Sequence, residues 1–126
     1  MAKRLMAVGL AVVMLFGVFV LVGCGGRSAQ DYLNAHSQAD LDAVVAQVRA
    51  MGMELEMTTD GDVLIYTYTF IEQVGNDFVM DESMLRRTAE TVILPEMSNF
   101  GINNPVVRYI YVDADGTVLA DMEFSL

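Results

Sequence analysis

The chain contains two Asp-Gly pairs, Asp60-Gly61 and Asp115-Gly116, and each lies between two segments of strand-like sequence. An Asp-Gly pair in that position is a strong signal for a β-hairpin, because both residues tolerate the positive φ angles of a tight turn. The sequence therefore predicts two hairpins and four strands. The predicted strands are residues 53–57 and 63–71 around the first pair, and residues 106–112 and 117–124 around the second.

Helical periodicity is present in two segments, residues 31–51 and 81–100, where apolar residues recur every three or four positions. Gly52 and Gly101 follow these segments directly, which is the position of a glycine that caps a helix C-terminus. Pro95 lies inside the second segment. Because proline has no backbone N–H, we expect it to kink the helix or to split it just before this position.

Placed in order, these elements give a helix and two strands, and then a helix and two strands again. The predicted fold class is α+β with the order αββαββ: one four-stranded antiparallel sheet with two helices on one face, preceded by an apolar signal helix. Thr67 and Thr69 alternate with bulky residues in the second strand, so they mark the face of the sheet that is turned to solvent.

The first residues have the layout of a secretory signal. Lys3 and Arg4 precede residues 5–22, which contain no charged or strongly polar side chain. This apolar run is also about as long as the shortest membrane-spanning helices, so its length alone leaves cleavage and retention both open. We expect the rest of the chain to lie outside the cytoplasm in either case.

The only cysteine of the chain ends a segment, Leu21-Val22-Gly23-Cys24, that resembles the lipobox of bacterial lipoproteins. The resemblance implies that a diacylglycerol is joined to the Cys24 sulfur and that the chain is cut before this residue. Two acyl chains anchor a protein stably, whereas one binds only marginally. The implied division is a signal peptide in residues 1–23, a lipidated cysteine and flexible tether in residues 24–30, and a single domain of unknown function in residues 31–126.

The charge of the remaining chain is strongly negative. Removal of Lys3 and Arg4 with the signal leaves five arginines as cations against 17 acidic residues. Such a domain is repelled by nucleic acid and by anionic lipid headgroups, so we expect no nucleic-acid partner. The expected partners are the membrane, through lipid on Cys24, and an unknown envelope protein or polymer. The expected location is the cell membrane, with the domain lipid-anchored on the extracytoplasmic side.

Two longer stretches resemble a known family: YTYTFIEQV at residues 66–74 and NNPVVRYIYVDADGTVLADMEF at residues 103–124. Behind a lipobox, they are similar to an uncharacterised family of small bacterial lipoproteins with a C-terminal domain of unknown function. The resemblance implies fold and location only, because that family offers no activity that could be carried over.

Two short motifs have the residue types of metal sites, and each has a simpler interpretation. Met51, Met53 and Met57 offer thioethers, which suit Cu(I). However, Met53 and Met57 lie on the inward side of an alternating strand, where methionine fills space in a core. Asp113 and Asp115 have the spacing of a calcium loop, but the ends of that loop carry no carboxylate or amide ligand here. We expect core packing and a hairpin turn, with no metal and no cofactor.

His36 is the only histidine, and Ser37 and Asp40 lie close to it in the sequence. Catalytic triads are usually assembled from residues distant in sequence, and the chain lacks the Gly-x-Ser-x-Gly elbow of many serine hydrolases. We therefore expect an exposed, inert His36 and no enzyme activity. Two carboxylate pairs share strand faces that alternation marks as solvated, with Arg108 available as a counterion: Glu54 with Glu56, and Asp121 with Glu123.

Tyrosines occupy alternate positions of two predicted strands, so each row lies on one face. If that face packs against helices, the tyrosines are core, which Thr67 and Thr69 on the opposite face favour. If the helices cover only part of the sheet, the rows form a binding surface, since tyrosine combines apolar area with a hydrogen-bonding hydroxyl. The four residues are Tyr66, Tyr68, Tyr109 and Tyr111.

These patterns predict a membrane-anchored bacterial lipoprotein whose domain is a non-catalytic binding or scaffolding module at the cell envelope. The alternative is a lipoprotein that binds a small ligand or a cation. Exposed aromatic side chains on the sheet would favour a protein or polymer partner. A closed pocket lined by acids would favour the small ligand.

Overall fold

A computed structural model describes residues 26–126, so the predicted signal segment and the lipobox residues Leu21, Val22, Gly23 and Cys24 lie outside the described residues. Within the described residues, the α+β class and the four predicted strands are confirmed. The helices are α1 (Ala29–Asn34), α2 (Gln38–Ala50), α3 (Glu82–Thr88) and α4 (Leu94–Phe100), and the strands are β1 (Met53–Asp60), β2 (Val63–Phe70), β3 (Val106–Val112) and β4 (Val118–Ser125).

The sheet is mixed, so the prediction of a purely antiparallel sheet is wrong. The strands lie in the order β1-β2-β3-β4, and each hairpin is antiparallel. Between the hairpins, however, β2 and β3 run parallel, with Val63 opposite Val106. The physical reason is the connection: a helical crossover carries the chain from the end of β2 back to the end where β2 began, and β3 starts there.

The packed domain begins at Arg27, inside the segment that was predicted to be a flexible tether. The Arg27 N–H donates to the carbonyl of Gly101 at 3.2 Å, and the Ala29 N–H donates to the carbonyl of Gly61 at 3.0 Å. Ala29 is also fully buried. This part of the chain is therefore fixed to the turns at one end of the sheet, which we call the anchor end.

The predicted helix over residues 31–51 is two helices, α1 and α2, because a serine caps each N-terminus. Ser28 Oγ accepts from the Asp31 N–H at 3.1 Å while the Asp31 carboxylate accepts from the Ser28 N–H at 2.9 Å, which is a capping box. Ser37 Oγ accepts from the Asp40 N–H at 3.1 Å. The second cap starts α2 after a short break at residues 35–37.

Pro95 splits the second helical segment, as predicted. A π-helical turn covers Ala89–Ile93 between α3 and α4. The Leu94 N–H donates to the carbonyl of Ala89, five residues back. This wider turn makes room for the proline ring and needs no donor at Pro95. Gly101 then ends α4 with a φ of 116°, the left-handed geometry of a capping glycine.

The four tyrosines of the predicted rows form two stacked pairs in the core. Tyr66 stacks on Tyr109 with ring centroids 5.4 Å apart, and Tyr68 stacks on Tyr111 at 4.7 Å. All four side chains are at most 3% exposed. Each stacked pair contributes roughly 0.5–1.5 kcal/mol beyond the burial of its area. The rows are therefore core, which the threonines favoured, and not a binding surface.

Candidate binding surface

One face of the sheet is not covered by any helix of the described residues, and we call it the open face. On β2 and β3 its side chains alternate with the buried tyrosines, and all of them are partly exposed. Thr67 and Thr69 lie on it, so the prediction that they mark the solvated face is confirmed. The centre of the open face is otherwise mostly β-branched and apolar. Its apolar residues are Val63, Ile65, Val106, Ile110 and Val112.

Acidic side chains border the open face on both sides, because both predicted carboxylate pairs project from the outer strands. Glu56 on β1 pairs with Thr67, and Asp121 on β4 pairs with Ile110. Residues that are directly paired across two strands share a face of the sheet. The border residues are Glu54, Glu56 and Asp60 on β1, and Asp121 and Glu123 on β4.

Two arginines neutralise part of this acidic border. Arg108 on β3 donates to both carboxylate oxygens of Asp121 at 2.8 and 2.6 Å, which confirms its predicted role as a counterion. These hydrogen bonds lower the pKa of Asp121 below its usual value and raise the pKa of Arg108. Arg49 at the end of α2 donates to both carboxylate oxygens of Glu54 at 3.2 and 2.8 Å. Both ion pairs are exposed, so they contribute little to the stability of the fold. Because the border has five carboxylates and only two arginine partners, its net charge stays negative.

A partly buried polar pair joins α1 to α4, and no pattern in the sequence predicts it. Tyr32 Oη donates to Glu96 Oε1 at 2.5 Å, across 64 positions of sequence. Burial raises the pKa of Glu96, although the hydrogen bond from Tyr32 and the nearby His36 act in the opposite direction. Burial and the same hydrogen bond raise the pKa of Tyr32. In the sequence Tyr32 is simply one apolar position of a helix, so no local pattern predicts its partner.

His36 is half-buried beside this pair, so the prediction of an exposed His36 is wrong. Its ring packs edge-on against the Tyr32 ring at 4.9 Å between centroids, and Nδ1 lies 2.9 Å from the Tyr32 carbonyl oxygen. The cause is the turn after α1, in which the His36 N–H donates to the carbonyl of Leu33 and folds the residue back onto the helix. Ser37 Oγ is occupied by the N–H of Asp40, so these neighbours serve local structure.

Asp113 holds together the two loops at the end of the sheet opposite the anchor end, which we call the distal end. Its Oδ1 accepts from the N–H groups of Val74 and Ala114 at 2.9 and 2.8 Å, and its Oδ2 accepts from Gly75 at 3.0 Å. Burial raises the pKa of this carboxyl, but the three backbone donors outweigh burial and the pKa is lowered. The hairpin-turn interpretation is confirmed, because the Asp113 N–H donates to the carbonyl of Thr117 at 2.8 Å.

The methionines of the thioether motif lie in different environments. Met53 is fully buried and Met57 packs against the core, as the core interpretation predicts, whereas Met51 is exposed at the end of α2. Within residues 26–126, no group of three or more His, Cys, Asp and Glu side chains is placed to hold a metal ion. The helices in this part of the chain are all too short or too polar to cross a membrane.

Two surface depressions are candidates for a small ligand. One of about 470 Å³ includes Arg27, Asp31 and Phe100 in its wall, and the Arg27 guanidinium already stacks 4.5 Å from the centroid of the Phe100 ring. The other, of about 350 Å³, lies at the anchor end between Asn103 and Ser125. Neither is a closed pocket lined by acids, so the feature that would favour a small ligand is not found in them.

The fold and the surface of residues 26–126 define a small α+β domain with a mixed four-stranded sheet, and within these residues the helices cover one face of that sheet. The chain belongs to the family described as Domain of unknown function (DUF4854), whose model matches residues 30–124. This match includes both stretches by which the sequence resembles an uncharacterised family, so the part of the resemblance that concerns an uncharacterised domain is confirmed. No curated protein and no solved structure matches the chain.

Proposed function

We propose that this protein is a bacterial lipoprotein, held on the extracytoplasmic side of the cell membrane by lipid on Cys24, and that its domain is a non-catalytic binding or scaffolding module. The observation that carries the binding role is the open face. A sheet face that meets only water usually carries polar residues, but here five of the eight outward residues on the two central strands are valine or isoleucine. An uncovered apolar patch with a polar border is typical of a protein interaction site.

The proposal that the domain performs no chemistry is supported by how its polar groups are used. Ser37 caps α2, Asp113 accepts three backbone N–H groups, and the Tyr32 hydroxyl donates to Glu96. These groups serve the fold, and a binding module does not need them for catalysis. The alternative, a lipoprotein that binds a small ligand or a cation, ranks second because the two depressions are open to solvent.

The lipid anchor is tested by labelling intact cells with a detectable palmitate analogue and then purifying the chain. We expect label on the native chain and none on Cys24→Ala, because the thioether to the lipid needs the Cys24 sulfur. Gly25→Ala is the matched control, since it changes the next residue and keeps the thiol. Equal labelling of the native chain and Cys24→Ala would contradict the anchor.

The binding role is tested by photo-crosslinking in intact cells, with the crosslinking amino acid at Ile110 in the centre of the open face. The control position is Gln47, which is exposed on α2 and is not part of the open face. We expect one discrete adduct from Ile110 and none from Gln47. Failure to obtain any adduct from Ile110, or the same adducts from both positions, would overturn the proposal that the open face binds a partner.

A further inference from the structure

We infer that the open face receives a basic amphipathic helix from a partner protein. This inference rests on the proposed binding function, and it adds the chemistry and the shape of the partner. Three properties of the open face carry it: the order of its apolar and acidic rows, its dimensions, and the charge of the domain around it.

Taken strand by strand, the open face is mostly acidic on β1, apolar with two threonines on β2, apolar with Arg108 on β3, and acidic at Asp121 and Glu123 on β4. β2 and β3 place Ile65, Ile110 and Val112 in the centre, all partly exposed. β1 and β4 place carboxylates such as Glu56 and Glu123 on the two sides. The complementary surface is an apolar ridge with cations along both flanks. A helix with an apolar stripe and Lys or Arg beside it has this arrangement.

The dimensions of the open face suit a helix better than a single extended strand. Neighbouring strands lie about 4.8 Å apart, so the acidic rows of β1 and β4 are separated by roughly 14 Å. A helix with its side chains is about 10–12 Å wide, and its flanking cations would therefore lie over both acidic rows. An added strand would cover only about 5 Å of this width. Strands of this length span roughly 25 Å, which corresponds to about 16 helical residues.

The charge of the domain favours a cationic partner over an anionic one. Among the outward positions of β2 and β3, Arg108 is the one cation, and Asp121 binds it through two hydrogen bonds. The residues that follow the predicted signal carry 17 acids against five arginines. Such a field raises the association rate of cationic partners and lowers that of anionic ones.

The area of the open face sets the strength of the expected complex. A rectangle of about 14 by 25 Å gives roughly 350 Å² on the domain side. Interfaces of this size belong to the small class that forms weak and transient complexes. We therefore expect a dissociation constant in the micromolar range, and we expect it to rise with salt, because exposed charge pairs are screened.

The probe for this inference is a synthetic helical peptide of about 16 residues with leucine and isoleucine on one face and lysine on both flanks. Binding is measured by fluorescence anisotropy to the full chain in phosphatidylcholine nanodiscs, with empty discs as the blank. One control peptide has the same composition in scrambled order, and another has glutamate in place of lysine. The test variant is Glu56→Gln with Glu123→Gln, and its matched control is Glu72→Gln with Glu90→Gln, which removes the same charge at exposed positions outside the four strands.

We expect the amphipathic peptide to bind the native chain and the matched control within about twofold of each other, and the test variant roughly three- to tenfold more weakly. Equal weakening in both variants, or equal binding of the scrambled peptide, would mean general charge attraction and would overturn the inference. Dimerisation of the native chain in the discs that is lost in Ile110→Lys would assign the open face to a second copy. A discrete adduct from Ile110 in cells together with no peptide binding would reject the basic helix while the proposed binding function stands.

Discussion

Replacing Asp113 by asparagine removes one acceptor from the junction of the distal loops. The native carboxylate accepts from Val74 and Ala114 through Oδ1 and from Gly75 through Oδ2. Asparagine has one oxygen and one NH₂ group, so at least one backbone N–H faces a donor in either orientation of the amide. Loss of a charge-assisted hydrogen bond in a buried place costs roughly 1.5–3 kcal/mol. We expect the free energy of unfolding to fall by about 2 kcal/mol, and the melting temperature by roughly 8–16 °C.

The assay is urea and thermal unfolding of the full chain, followed by far-UV circular dichroism. Asp115→Asn is the matched control, because this exposed carboxylate accepts only one backbone N–H, from Thr117 at 3.0 Å. We expect Asp115→Asn to cost less than about 1 kcal/mol. A loss below about 0.5 kcal/mol in Asp113→Asn would refute the reasoning that this carboxylate holds the loops together.

Because of the same carboxylate, we expect the stability of the domain to depend on pH. The folded state lowers the pKa of Asp113 from its ordinary value of 3.8. A lowered pKa means that the ionised form stabilises the fold above the ordinary value, and that this contribution is lost as the pH falls through the folded pKa. The difference in the free energy of unfolding between the native chain and Asp113→Asn should therefore become smaller below about pH 3.8. A difference that stays constant to the lowest pH at which the chain remains folded would contradict this origin.

Three further substitutions test single features by urea unfolding. Tyr68→Phe removes a buried hydroxyl that has no hydrogen-bond partner in the described residues. We therefore expect the free energy of unfolding to be unchanged or raised by up to about 1 kcal/mol. A clear loss of stability would mean that the hydroxyl has a hydrogen-bond partner. Glu96→Gln keeps an acceptor for Tyr32 and removes a carboxyl group whose pKa is raised in the folded state. The variant should therefore be more stable than the native chain at neutral pH and should lose this advantage below pH 4.5, the ordinary pKa of the group. A stability difference that does not change with pH would contradict the raised pKa. Gly52→Ala adds a Cβ at a φ of 94°, where no other atom lies within 4 Å. Only backbone strain should therefore lower the free energy of unfolding, by about 1–2 kcal/mol. Unchanged stability would argue against this backbone geometry.

The positions of the strands could be predicted because the signals are local. Alternation and the two Asp-Gly pairs lie within each hairpin, and β1 differs mainly in extending to Asp60. The direction of β3 relative to β2 depends on the crossover between them, and neither strand carries that information. The break between α1 and α2 was readable in principle, because serine stands three residues before aspartate at both Ser28 and Ser37.

The candidate site shows the same division between local and long-range information. The sequence predicts that Glu56 and Glu123 lie on solvated strand faces, since alternation decides on which side of a strand a residue projects. That these acids border an apolar centre on both sides follows only from the strand order, with β1 and β4 outermost. The hydrogen bond from Tyr32 to Glu96 and the half-buried His36 depend on packing between helices that are distant in sequence.

The hydrogen bonds of Arg27 and Ala29 at the anchor end bear on where a partner can be reached. With Cys24 lipidated, as proposed, only Gly25 and Gly26 separate the lipid from the first packed residue, and three such steps span at most about 11 Å. This short connection would then keep the domain close to the membrane surface. With the strands upright, the distal loops would stand about 35 Å from the headgroups. A partner would have to present its binding segment within that height, so proteins of the same membrane are the first place to look for it.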